Sequence, residues 1–238
     1  MLRPMLVRAL LAVTLVVGAA GSWRPAEAAG PAVEGTIKIV TREGGDKSRH
    51  DGVVVFLDGL ERPGSSRPPT THAVIRQQHK QFIPEVLPIV AGTTVDFPNE
   101  DSIYHNVFSL SKVTPFDLGL YAQDGTKSVT FDRPGLVKIY CNIHPQMIAY
   151  LLVLGNPYFT VTDAQGRFVI PDAPLGSATL RTWYSRSQEH PERTIQVTPQ
   201  GVKDLNLQLV ESITLQIKEE SVSIEHKNKW GQDYPAKY

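Results

Sequence analysis

Beyond residue 28 the apolar residues fall in short runs or at every second position, and Gly, Pro, Asp and Asn close each run. That is the spacing of strands and turns, not of amphipathic helices. The pattern predicts strands at Gly35 to Val40, Gly52 to Leu57, Val86 to Val90, Thr93 to Phe97, Ser128 to Phe131, Gly135 to Tyr140 and Ile148 to Leu154. It continues at Tyr158 to Thr162, Arg167 to Ile170, Ala178 to Tyr184, Thr194 to Val197 and Leu205 to Val210. Turn signals recurring every eight to twelve residues predict an all-β chain built of sandwiches. The polar, proline-rich segment 61–71 and the Gly155-Asn156-Pro157 turn mark boundaries. No stretch carries a helical period long enough to compete.

The first 28 residues follow a different rule. Arg3 and Arg8 precede a twelve-residue apolar run from Ala9 to Ala20, and Ala26-Glu27-Ala28 offers a cleavage site. This is the layout of a signal peptide over residues 1–28, with an apolar run short of the ~20 residues a bilayer span needs. The expectation is therefore a periplasmic or secreted protein with no stable membrane span. The 24 basic and 24 acidic residues balance; loss of Arg3, Arg8, Arg24 and Glu27 leaves 21 and 23, a charge of −2. No basic footprint for nucleic acid exists at either charge.

Export changes the meaning of the one cysteine in 238 residues. It cannot form an intramolecular disulfide, yet thiols outside the cytoplasm ordinarily pair. Cys141 lies in Tyr140-Cys141-Asn142-Ile143-His144-Pro145-Gln146-Met147, which sets a thiol, an imidazole and a thioether at C-x2-H-x2-M spacing. His105, in Asn99-Glu100-Asp101-Ser102-Ile103-Tyr104-His105-Asn106, supplies a second imidazole 36 residues earlier. Two imidazoles, one thiolate and a weak thioether are the ligand group of a blue-copper electron-transfer site. Other readings stay open at this level. Cys141 can be a small buried hydrophobe, Met147 can be core packing beside Gln146, His105 can be a turn histidine, and zinc also takes His and Cys ligands.

The segments Val90-Ala91-Gly92-Thr93-Thr94-Val95-Asp96-Phe97-Pro98-Asn99-Glu100-Asp101, His105-Asn106-Val107 and Pro134-Gly135-Leu136-Val137-Lys138-Ile139-Tyr140-Cys141 resemble a plastocyanin- or amicyanin-like cupredoxin over residues 73–154. The resemblance implies a Greek-key β-sandwich holding one type 1 copper, with His105, Cys141 and His144 equatorial and Met147 axial. It implies that His144 is the edge nearest solvent and that Asn106 ties the ligand loops together. Pro145 has no N–H to offer the sulfur, which leads us to expect a slightly more electron-rich thiolate. His50, His72, His190 and His226 stand in polar segments and read as solvated surface, as does His79 on balance, although it precedes the strand that lies near the metal in cupredoxins. Asp117 and Tyr121 read as structural.

Residues 158–183 contain Thr162-Asp163-Ala164-Gln165-Gly166-Arg167-Phe168-Val169-Ile170, Pro174-Leu175-Gly176 and Leu180-Arg181-Thr182-Trp183. This is similar to the carboxypeptidase-regulatory, transthyretin-like β-sandwich, whose opening strands are missing before Tyr158 but present at residues 35–40 and 53–57. We therefore expect the cupredoxin to be inserted into a split sandwich of residues 34–60 plus 156–210, with 211–238 as a C-terminal extension.

The functional expectation is a carrier of single electrons between redox partners such as a cytochrome or a dehydrogenase, not an enzyme. A multicopper enzyme needs further histidine clusters, and a binuclear copper site needs a second cysteine. The alternative is a copper-binding or structural envelope protein without electron transfer.

Overall fold

The computed structural model describes residues 30–60 and 70–212. Residues 1–29, where the sequence predicts a signal peptide, most of the connector at 61–71 and the residues beyond Ser212, His226 included, lie outside the described residues. Those described contain no helix. In chain order the strands are β1 (Val33–Val40), β2 (Val54–Asp58), β3 (Ala73–Val74), β4 (Arg76–Gln78), β5 (Gln81–Ile83), β6 (Val86–Val90), β7 (Thr93–Pro98), β8 (His105–Ser109) and β9 (Phe116–Tyr121). They continue as β10 (Thr126–Phe131), β11 (Gly135–Tyr140), β12 (Ile148–Leu154), β13 (Phe159–Val161), β14 (Arg167–Ile170), β15 (Gly176–Trp183), β16 (Glu192–Val197) and β17 (Val202–Val210).

The alternation that predicts these strands is realised as burial. In β7 every second residue is buried, with Thr93, Val95 and Phe97 pointing inward, the period-2 signature of a sheet with one core face. Strand β12 is different: Ala149 to Leu154 are all buried. Its inner face joins the core of one sandwich, and its outer face meets the other.

Two sandwiches are nested. The five-stranded sheet β6-β12-β11-β8-β9 faces β10-β7-β3, with the hairpin β4-β5 beside them. Phe97, Phe131, Ile139, Leu151 and Val137 fill the space between. The other sandwich packs β14-β1-β17 against β13-β2-β15-β16 around Ile37, Ile39, Leu57, Ile170 and Leu180. Its strands come from both ends of the chain. β1 runs antiparallel to β14 and parallel to β17, while β2 lies between β13 and β15. Gly166 secures one seam: its carbonyl accepts the Ile37 N–H at 2.8 Å. A Cβ there would sit 2.0 Å from the Ile37 carbonyl oxygen, and the backbone has φ +76°. Only glycine fits such a position without strain.

Where the two sandwiches meet, Val54, Leu152 and Leu154 form a third apolar cluster with Phe56, Leu136, Phe159 and Trp183. The Tyr150 and Trp183 rings stand 5.4 Å apart across this seam. The cluster joins the outer face of β12 to strands β2, β13 and β15 of the second sandwich.

Five strands escape the sequence pattern: β3, β4, β5, β8 and β9. His50 also departs from the expected solvated surface. Its side chain is 16% exposed, and its Nδ1 accepts the Ile39 N–H at 3.0 Å, so a backbone group needing a partner draws the ring inward. His72 is exposed beside Asp96 at 2.9 Å, and His190 lies at the surface with its ring stacked on Trp183.

Candidate metal centre

Two pieces of chain separated by 36 residues meet at one end of the first sandwich. His105 opens β8, whose five residues are all buried. Cys141, His144 and Met147 belong to the turn between the paired strands β11 and β12. A tight strand-to-strand loop on a rigid sheet holds its side chains with little freedom.

The donor atoms converge. His105 Nδ1 and His144 Nδ1 are 3.1 Å apart, and Cys141 Sγ lies 3.9 Å from the first and 3.8 Å from the second. Among the described residues this is the one gathering of three His, Cys, Asp or Glu groups able to hold a metal ion. Metal bonds of about 2.0 Å to nitrogen and 2.3 Å to sulfur at 120° to one another would separate two nitrogens by roughly 3.5 Å and nitrogen from sulfur by roughly 3.7 Å. The triangle therefore fits a three-coordinate His2Cys ion with small adjustments.

Burial grades the donor residues. His105 is wholly buried and Cys141 is 2% exposed, whereas His144 is partly exposed between the exposed Ile143 and Pro145. Met147 is 1% exposed and shares a core cluster with Cys141. Its N–H donates to the His144 carbonyl at 2.9 Å, closing the loop. Gln146 is exposed, which separates the two neighbouring candidates for an axial donor.

Asn106 joins the two pieces. Its Oδ1 accepts the Asn142 N–H at 3.1 Å, and its Nδ2 donates to Asp117 Oδ1 at 2.9 Å. Asp117 in turn accepts the Gly119 N–H at 2.8 Å. The structural reading of Asp117 thus acquires a purpose, because it orients the amide that spans the site. Tyr121 is buried with its hydroxyl donating to the Phe97 carbonyl at 2.8 Å and accepting from Gln77 Nε2 at 2.6 Å. Burial, followed by the nearby Cys141, pushes its phenol well above the usual range.

Burial pushes the Cys141 thiol up, while the backbone N–H groups of Asn106, Ile143 and His144 act in the opposite direction. Pro145, exposed after His144, adds no N–H to that set.

Asp101 is the site residue that the sequence reading passed over. Its Oδ2 lies 2.8 Å from His105 Nε2, its Oδ1 accepts the His79 N–H at 2.7 Å, and Oδ2 also accepts the Lys80 N–H at 2.9 Å. Burial raises this carboxyl, but the Lys80 N–H, the His105 ring and the His79 N–H together hold it below the ordinary carboxylate value. His79 is exposed as expected, and touches the site only through its backbone. For His144, burial and then the neighbouring His105 and Lys80 lower the imidazole, against the opposing Asp101 charge.

No family model matches the chain, and no curated protein sequence matches it. Solved structures do. A purple cupredoxin from Nitrosopumilus maritimus is 26% identical over 34% of this chain and 99% of its own, with a TM-score of 0.32. Amicyanin from Paracoccus versutus is 24% identical over 36% of this chain and 84% of its own, with a TM-score of 0.34. The copper-containing nitrite reductase of Thermus scotoductus SA-01 is 27% identical over 40% of this chain and 24% of its own, with a TM-score of 0.35.

Proposed function

We propose that this chain is an exported type 1 copper protein that carries single electrons between redox partners. The observation that carries the reading is the triangle of His105 Nδ1, His144 Nδ1 and Cys141 Sγ, 3.1 to 3.9 Å on a side. One copper per chain would be held there, with Met147 as the fourth, weak donor. Two imidazoles and a thiolate suit both Cu(I) and Cu(II), and copper supplies the one-electron couple. The chain's part is to keep the donors still. Buried β8 fixes His105, the β11–β12 turn fixes the other donors, and Asn106 locks the two pieces at one spacing, so little needs to move when an electron passes.

The bound thiolate needs no base, because a coordinating metal deprotonates it outright. Electrons would enter and leave through the partly exposed His144 edge. Ile143, Ile103 and Tyr104 are exposed nearby along the chain, at 36%, 37% and 49%, and an apolar rim of this kind suits transient docking of a redox protein such as a cytochrome or a dehydrogenase. With a mature charge near −2, long-range steering has little to act on. The split sandwich reads as a scaffold or a second docking surface. The leader layout of residues 1–28 supports export to the periplasm or beyond the cell.

The test is electron exchange. Copper(I)-loaded protein mixed with an oxidised c-type cytochrome in a stopped-flow instrument should pass one electron per copper, with weak dependence on salt. Copper that stays bound yet exchanges no electrons with cytochrome or dehydrogenase partners would favour a structural envelope role instead.

A further inference from the structure

We propose that Asp101 is a positioning residue of the metal centre. It holds His105 in the tautomer that leaves Nδ1 free to ligate, and it places a negative charge behind the ring. The inference rests on the copper reading above and names what controls that site.

The argument begins with hydrogen-bond inventory. An ionised carboxylate can only accept, so at 2.8 Å from Asp101 Oδ2 the His105 Nε2 must donate. The ring proton is thereby assigned to Nε2, and Nδ1, which faces His144 and Cys141, keeps its lone pair. Burial gives the His105 ring no water to serve as a substitute partner. Asp101 is itself pinned. Besides the His79 and Lys80 N–H groups, its own N–H donates to Asn99 Oδ1 at 3.1 Å, and Asn99 Nδ2 reaches the Ile103 and Tyr121 carbonyls at 2.8 and 3.1 Å.

The hairpin adds a second, independent observation. His79 and Lys80 join β4 to β5 with φ of 56° and 55°. Non-glycine residues in this left-handed region are strained, and they persist where the surroundings over-determine them. Here both N–H groups point at one carboxylate. Turn, carboxylate and His105 therefore form one unit, and the strained turn is held by the group that also orients the imidazole. A carboxylate behind a ligand imidazole raises its basicity, and partners of this kind are worth about 10–100-fold in metal affinity. Extra negative charge favours the more highly charged ion, so Cu(II) gains more than Cu(I).

Two measurements test this. In the metal-free wild type, nitrogen-15 NMR of the His105 ring should show the proton on Nε2; a proton on Nδ1 overturns the proposal without reference to copper. In Asp101→Asn, which keeps one acceptor oxygen but loses the charge, Cu(II) affinity should fall 10–100-fold. Cu(I) affinity should fall less, and the potential should rise. Equal losses for both ions, or none, overturn the charge role. Asp101→Glu should recover part of the Cu(II) preference. If Asp101→Asn does not fold, the wild-type tautomer still decides. A wild type that binds no copper defeats the copper reading alone, since the tautomer is read without metal.

Discussion

The Nδ1 atoms of His105 and His144 lie 3.1 Å apart, although one belongs to a buried strand and the other to a partly exposed turn. Two ring nitrogens at that distance cannot both carry protons. With the His105 proton on Nε2 toward Asp101, a lone pair is aimed into the space shared with Cys141. Pre-alignment of this kind places the cost of organising the donors in folding and not in ion capture.

Asn106 maintains that alignment. Asn106→Ala leaves the buried Asn142 N–H and Asp117 carboxylate without this partner, so the metal-free protein should lose about 1–3 kcal/mol in denaturant unfolding. Copper affinity should fall by about 10–100-fold. Unchanged affinity would mean that the two ligand segments are held together by packing alone.

Met147 and Gln146 are separable by substitution. Met147→Leu nearly conserves volume in a buried position, and such swaps usually cost less than about 1.5 kcal/mol. Copper should remain bound with a raised reduction potential, because the axial donor helps stabilise Cu(II). Gln146→Ala, at an exposed position, should leave the potential where it was. The opposite pair of results would make Gln146 the fourth donor. Voltammetry of the two variants decides.

The nested arrangement depends on Gly166. Gly166→Ala forces a side chain into a left-handed backbone and against the Ile37 carbonyl. The backbone alone should cost about 1–2 kcal/mol, with more from the contact. Thermal unfolding should show the loss, while copper loading of the other sandwich at room temperature should survive. Loss of both together would show that the two sandwiches fold as one cooperative unit.

Tyr184 sets an alkaline limit. Burial, and then the neighbouring Glu211 charge, push its phenol up to about 12 from the ordinary 10.0. The unfolded chain therefore releases this proton first. The stability tied to the neutral phenol is fully present below pH 10.0 and is lost as pH rises toward 12. Tyr184→Phe should flatten that part of the curve in urea titrations across this range, leaving the share that the raised Tyr121 phenol contributes. An unchanged slope would contradict the assignment.

Much of this was legible because alternation survives wherever a strand has one wet face. Strands β11 and β14 occupy the very residues that the pattern marks. Alternation fails where polar residues are buried for the sake of the site. Strand β8, His105-Asn106-Val107-Phe108-Ser109, is buried throughout, so its polar members hide the period. The β4–β5 hairpin is disguised twice. Gln77 is buried by hydrogen bonds to Phe97, Pro98 and Tyr121, and the turn uses His79-Lys80 in place of glycine or asparagine. The donor groups that the fold gathers, His105, Cys141 and His144, were readable from spacing, but Asp101 was not, since an acid in a polar loop resembles any solvated carboxylate. Only the folded chain brings it beneath His105.

The most direct test is the visible and EPR spectrum of the copper-loaded protein beside that of Cys141→Ser. We expect the wild type to show the intense visible absorption and type 1 EPR signal of a Cu(II)–thiolate bond, and the variant to lose both. A wild type that binds Cu(II) yet remains colourless would contradict the His105, Cys141 and His144 copper site.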